Sequence, residues 1–213
     1  MAEDFFRLSS EDQSEALKVA AAKTGRPAYI LEKDAWVVWA LSVLFENPIG
    51  RHLSFKGGTS LSKAWGLIDR FSEDVDLTYD IRAFIPELAV GGDGIPSNRS
   101  QGQKWSEAVR VRLPDWIGGI LKPILTAALE REGIRAELRQ EKKEQLYLDY
   151  PARQEGYGYV KPSVMLEFGA RSTGEPTEDR TIICYAEGQV PGVNFPTATA
   201  RAMKVERTFW EKV

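Results

Sequence analysis

Phe55-Lys56-Gly57-Gly58-Thr59-Ser60, followed by Arg70-Phe71-Ser72-Glu73-Asp74-Val75-Asp76-Leu77, is the stretch on which the reading of this 213-residue chain turns. A short apolar strand at 53–55 runs into a glycine pair, and a helical stretch follows over 60–65. A second strand then carries two aspartates at alternate positions. Alternate strand residues share a face, so Asp74 and Asp76 project together while Val75 and Leu77 point into a core. Paired carboxylates repel unless a cation lies between them, so an aspartate pair on an apolar strand suggests a divalent metal. A glycine turn opening a helix offers backbone N–H groups to an anion. A metal beside a phosphate cradle is the equipment of nucleotidyl or phosphoryl transfer.

Composition bounds the possibilities. The chain is 28% charged and 43% hydrophobic with a net charge of −3, the profile of an ordinary globular protein with no global attraction to nucleic acid. One cysteine, Cys184, excludes an internal disulfide and fits a reducing cytoplasm, with its thiol expected in the core. The N-terminus lacks the apolar stretch of a signal peptide, and the apolar run at 35–45 is too short to span a bilayer. A cytoplasmic protein without a membrane partner is expected. The only histidine, His52, has no partner at zinc spacing.

Ser9 and Asp12 form a capping box that opens a helix over 10–23. A second helix over 28–46 is apolar around much of its circumference, which predicts burial. A turn-rich segment at 90–98 leads to a helical region over 103–132, with breaks expected at Pro114 and near Pro123. Strands are expected at 134–140, 145–150, 160–168 and 181–185, and a closing helix from Thr199 or Arg201. This order predicts an α+β fold, a mixed sheet flanked by helices with an N-terminal helical segment. The expected divisions are a helical segment at 1–50, a core at 51–198, and the start of a C-terminal helical region at 199–213. The basic residues Arg131, Arg135, Arg139, Lys142 and Lys143 read as a solvated face or as an RNA-contacting stripe.

The glycine pair, Arg70-x-Ser72-x-Asp74-x-Asp76, the Leu31-Glu32-Lys33-Asp34 helix and the closing Glu206-Arg207-Thr208-Phe209-Trp210-Glu211-Lys212 together resemble the AbiEii/AbiGii toxin family of the nucleotidyltransferase superfamily. The likeness runs from about residue 29 to the end. It departs in the spacing between Gly58 and Asp74, which is a residue or two longer than the family's pattern.

The resemblance implies a nucleotidyltransferase-like fold and transfer of a nucleoside monophosphate from an NTP to an RNA hydroxyl, the 3′ end of tRNA being the expected acceptor. It implies Mg²⁺ (or Mn²⁺) as cofactor, a cognate antitoxin as partner, and a role in bacterial toxin–antitoxin and phage defence. Glu167, a lone carboxylate on an apolar strand, matches the family's third acidic residue beside Asp74 and Asp76. Its other readings are a water-facing edge glutamate or a partner of Arg171. Lys212 matches a lysine thought to act on the nucleotide phosphates, and is otherwise a surface lysine.

Lys56, Gly57, Gly58, Thr59 and Ser60 would hold the donor phosphates. Arg70 would reach a phosphate or pair with Glu73 or Asp74. Ser72 would be a site of antitoxin-directed phosphorylation. The family's members continue past the closing motif, which implies a longer natural protein. Two other classes fit the same residues: a nucleotide-binding regulatory module without turnover, and a kinase-like phosphotransferase.

Overall fold

The computed structural model describes residues 2–69, 74–90, 92–154 and 161–210. The proposed roles of Arg70, Ser72 and Lys212 lie outside these residues. The capping box forms as expected: Ser9 Oγ accepts the Asp12 N–H at 3.1 Å and opens α1 (Ser10–Thr24), which Gly25 closes at φ 69°. Pro27 precedes α2 (Ala28–Glu46), and Pro48 lies just beyond its end. Leu31, Ala35, Val38 and Leu41 of α2 are fully buried, as its apolar circumference predicted. Each such aliphatic side chain, alanine aside, contributes about 1.5–3 kcal/mol.

A mixed seven-stranded sheet is the body of the fold, in the order β4-β5-β6-β3-β2-β9-β7. Its strands are β2 (Leu53–Lys56), β3 (Asp74–Tyr79), β4 (Glu137–Lys142), β5 (Gln145–Asp149), β6 (Ser163–Gly169), β7 (Thr177–Ile183) and β9 (Thr197–Met203). The short β1 (Glu3–Asp4) and β8 (Val193–Asn194) pair separately. β3 is central, antiparallel to β2 and parallel to β6. One face of the sheet presents Phe55, Val75, Leu77, Leu146, Leu148, Leu166 and Phe168 to the core, where they join the apolar side chains of α2. The opposite face carries the polar positions of the same strands, which is the alternation that two-residue periodicity requires.

Three expectations need correction. The glycine pair lies inside α3 (Gly57–Lys63), not before it. The long helix starts earlier and runs through Pro114 as α5 (Arg99–Trp116). It changes pitch at a π turn (Ile117–Leu121) and continues as α6 (Lys122–Glu132), with Pro123 accommodated in the first turn. The short α4 (Ile81–Phe84) precedes it.

The third correction concerns the closing helix. Residues 197–203 form strand β9, inside the sheet between β2 and β7, and α7 (Val205–Trp210) begins after it. Ala198, Ala200 and Ala202 are buried and alternate with Thr197, Thr199 and Arg201, so strand periodicity overrides the helix propensity of alanine. The expected division at 198 therefore falls within a sheet strand.

No helix among the described residues is long and apolar enough to cross a membrane. Cys184 is buried, as expected, and its thiol lies 3.0 Å from the Pro196 carbonyl.

Candidate active site

The glycine pair has two distinct jobs. Gly57 sits at φ 75°, and a Cβ placed there would lie 1.9 Å from Asp76 Oδ2. Only glycine allows both the backbone conformation and the approach of that carboxylate. A Cβ on Gly58 would meet nothing within 4 Å, so this position faces open space. The next two side chains turn inward. The Thr59 hydroxyl donates to the Asp74 carbonyl, and Ser60 Oγ donates to the Gly57 carbonyl at 2.9 Å. Thr59 therefore braces the turn against β3 and Ser60 ties the turn to itself, which leaves backbone N–H groups for an anion.

Strand register then builds the site. Lys56 lies beside Asp76 across the β2–β3 pair, Asp76 beside Glu167 across β3–β6, and Glu167 beside Gln145 across β5–β6. Four polar residues from four strands thus form one row across the sheet. β6 is interior, so the edge-strand reading of Glu167 is excluded. The Arg171 guanidinium lies 3.8 Å from Glu144 in the same cleft as Glu167. Gln145 Nε2 donates to Glu167 Oε2 at 2.9 Å, and the Tyr147 hydroxyl donates to Gln145 Oε1 at 3.0 Å. This chain holds the amide in one orientation and directs its donor at the carboxylate.

Asp76 and Glu167 share a cleft of about 320 Å³ with Lys56, Thr78, Glu144, Arg171 and Ser172, walled by Val109 and Leu113 of α5. Asp74 opens instead into an adjoining cleft of about 310 Å³, with Arg139, Tyr147, Lys161 and Ser163. Asp76 and Glu167 stand side by side in register, and Asp74 lies two residues back along β3 on the same face. Among the described residues no group of three or more His, Cys, Asp or Glu side chains is placed to cage a metal. Asp76 and Glu167 still fit a hard divalent cation. Magnesium commonly takes one or two protein carboxylates and completes its octahedron with water and substrate phosphates. Cations suited to phosphate flank both clefts, as Lys56 and Arg171 in one and Arg139 and Lys161 in the other.

Two members of the basic run are held in ion pairs. Arg139 pairs with Asp149 at 2.8 Å and with Glu141, and Arg131 pairs with Glu132 at 2.7 Å. The sequence names Arg171 beside Glu167, but not Gln145, Tyr147 or Lys161. The usable signal was the hairpin at 137–149, whose second strand had to lie beside some other strand. Which strand, and in what register, is a property of the assembled sheet.

The structure of MenT4, nucleotidyltransferase toxin Rv2826c from Mycobacterium tuberculosis H37Rv, is similar with a TM-score of 0.48 and 19% identity, over 92% of this chain and 57% of that chain. This chain therefore spans little more than half the length of that protein. No curated protein matches the chain. Residues 39–213 match the family described as "Nucleotidyl transferase AbiEii toxin, Type IV TA system". That match takes in the glycine turn, the whole sheet and the acidic row, and the chain belongs to the AbiEii nucleotidyltransferase toxin family of type IV toxin–antitoxin systems.

Proposed function

We propose that this chain moves a nucleoside monophosphate from an NTP to a hydroxyl of RNA, with tRNA as the acceptor class and a divalent metal as cofactor. The observation that supports the reading best is the Asp76–Glu167 register pair beside the Gly57 turn, in a chain of this family. Asp76 and Glu167, with Asp74 one step along β3, are the residues that would hold Mg²⁺ or Mn²⁺. The bound cation would neutralise the triphosphate and acidify the attacking hydroxyl.

The chain's own groups do the rest. The Gly58 side of the turn lets the donor approach the backbone, and Lys56 and Arg171 balance phosphate charge at the cleft. Gln145 occupies Glu167 Oε2, so Oε1 is the oxygen offered to the acceptor hydroxyl's proton. Arg70 and Lys212 are carried as further phosphate contacts, and Ser72 as a modification site, on their motif positions. The family also supports an antitoxin protein as partner.

Incubation with total tRNA, Mg²⁺ and each NTP labelled at the α- or γ-phosphate tests the reading. Label from the α-phosphate in RNA is expected. Label only from the γ-phosphate would indicate a kinase-like enzyme, and NTP binding without any transfer would indicate a regulatory module. Asp74→Ala and Asp76→Ala are each expected to abolish the transfer, at least 10³-fold by the usual weight of charge stabilisation at a reacting phosphate.

A further inference from the structure

A second charged site lies on the far end of α3, and the reaction as described makes no use of it. Lys63 closes the helix that Gly57 opens, and its ammonium lies 2.7 Å from Asp34 Oδ1 of α2. Both side chains are almost fully buried, at 4% and 0% exposure. The site is fully built. Lys63 Nζ also donates to the Ile183 carbonyl at 2.7 Å and sits 3.7 Å from the Tyr185 ring centroid. The Tyr185 N–H donates to Asp34 Oδ2 at 2.7 Å. Arg26 lies over the same ring at 4.2 Å and reaches Asp69 at 2.7 Å.

A buried ion pair is a poor device for stability, because desolvation offsets most of the attraction and apolar residues of similar volume do as well. What such a pair supplies is geometry, since only one arrangement satisfies both charges. α3 is short, and its other end touches the reactive strand twice, through Thr59 on the Asp74 carbonyl and Gly57 against the Asp76 carboxylate. Anything that fixes α3 therefore fixes where the β3 aspartates stand.

We propose that Asp34 and Lys63 are positioning residues for the transfer reaction, locking α3 between α2 and β3 so that Asp74 and Asp76 keep their places. The proposal rests on the nucleotidyl-transfer reading above. The pair touches neither cleft, so it acts only through α3.

Three proteins test it: wild type, Lys63→Met and the double variant Asp34→Asn/Lys63→Met. Lys63→Met strands a buried carboxylate and is expected to lower the melting temperature sharply. The double variant removes both charges and is expected to melt within a few degrees of wild type. Two measurements are then made at 20 °C. Amide hydrogen exchange is followed in peptides covering 57–64, and kcat is measured for α-label transfer.

The double variant is expected to exchange at least tenfold faster in that segment and to lose at least tenfold in kcat despite its restored stability. Wild-type exchange or wild-type kcat in a stable double variant overturns the proposal. Should the double variant fail to fold, Tyr185→Leu keeps both charges and removes only the ring over Nζ. It is expected to show the same pattern at several-fold size, and wild-type values there overturn the proposal equally. A wild-type protein that moves no label breaks the reaction assignment instead, and exchange over 57–64 then decides the pair by itself.

Discussion

Asp34 and Asp76 are both aspartates tied to α3, and they sit in opposite physical circumstances. Asp34 is sealed in the interior, with a lysine ammonium at 2.7 Å and a backbone N–H at 2.7 Å. Burial pushes its carboxyl upward, and Lys63 opposes the shift. Asp76 stands on the open face of the sheet, in a cleft with Glu167 and bare backbone at its shoulder. The first site is complete without a ligand. The second brings carboxylates together in a solvent-facing cleft and keeps glycine where a side chain would intrude. The same residue type is thus sealed in an ion pair in one place and left facing an open cleft in the other, and the surroundings decide which.

Swapping the burden of the two sites is the sharpest way to break this contrast. Asp34→Ala leaves the Lys63 ammonium buried without its carboxylate and is expected to cost about 3–5 kcal/mol in urea unfolding. Asp76→Ala is expected to stay within about 1 kcal/mol of wild type while transfer is lost. Equal stabilities for the two variants would end the distinction.

Gly57→Ala probes the shoulder of the open site. A positive φ is strained for alanine, and the new methyl would collide with the Asp76 carboxylate. A loss of about 3 kcal/mol, with transfer reduced at least a hundredfold, is expected from melting and labelling together.

Glu32 extends the buried class, two residues before Asp34. Its carboxylate accepts the Arg153 N–H at 2.7 Å and the Gln154 N–H at 3.2 Å. Burial nonetheless pushes it up to about 7 from the ordinary 4.5, with those N–H groups pulling the other way. Between these values the folded chain keeps a proton that the unfolded chain releases. Stability is therefore full below 4.5 and falls as pH rises through about 7. Relative to Glu32→Gln, wild type is expected to lose up to about 3 kcal/mol between pH 4.5 and 7.5 in urea unfolding. Parallel curves for the two proteins would refute the assignment. The smallest expected effect is that of Gln145→Leu. It removes the donor to Glu167 Oε2 while leaving the acidic row intact, and a fall in kcat of about tenfold with unchanged stability is expected.

Much of the fold was readable because its signals are local. The Ser9 cap and the apolar circumference of α2 depend on residues close in sequence and formed as expected. The hairpin expected from strands at 134–140 and 145–150 formed with its first strand shifted to Glu137–Lys142. The strand at β9 is not marked locally, because alanine favours helix in isolation and only the slot between β2 and β7 makes the alternation useful. At the site, Asp74, Asp76 and the glycine turn were visible as one motif. Gln145 and Tyr147 were not, because nothing local marks a glutamine as a neighbour of Glu167. Nothing local marks Lys63 as half of a buried pair, since its partner lies on another helix.

The amino-acid order alone determined which residues could bear charge on a strand, where a glycine turn falls, and which family's motif the chain carries. Local stereochemistry and side-chain chemistry suffice for that. Only the tertiary structure decided that Glu167 stands beside Asp76, and that Asp34 is sealed against Lys63. Strand register and burial are set by the whole sheet and its packing, and no short stretch of sequence contains them.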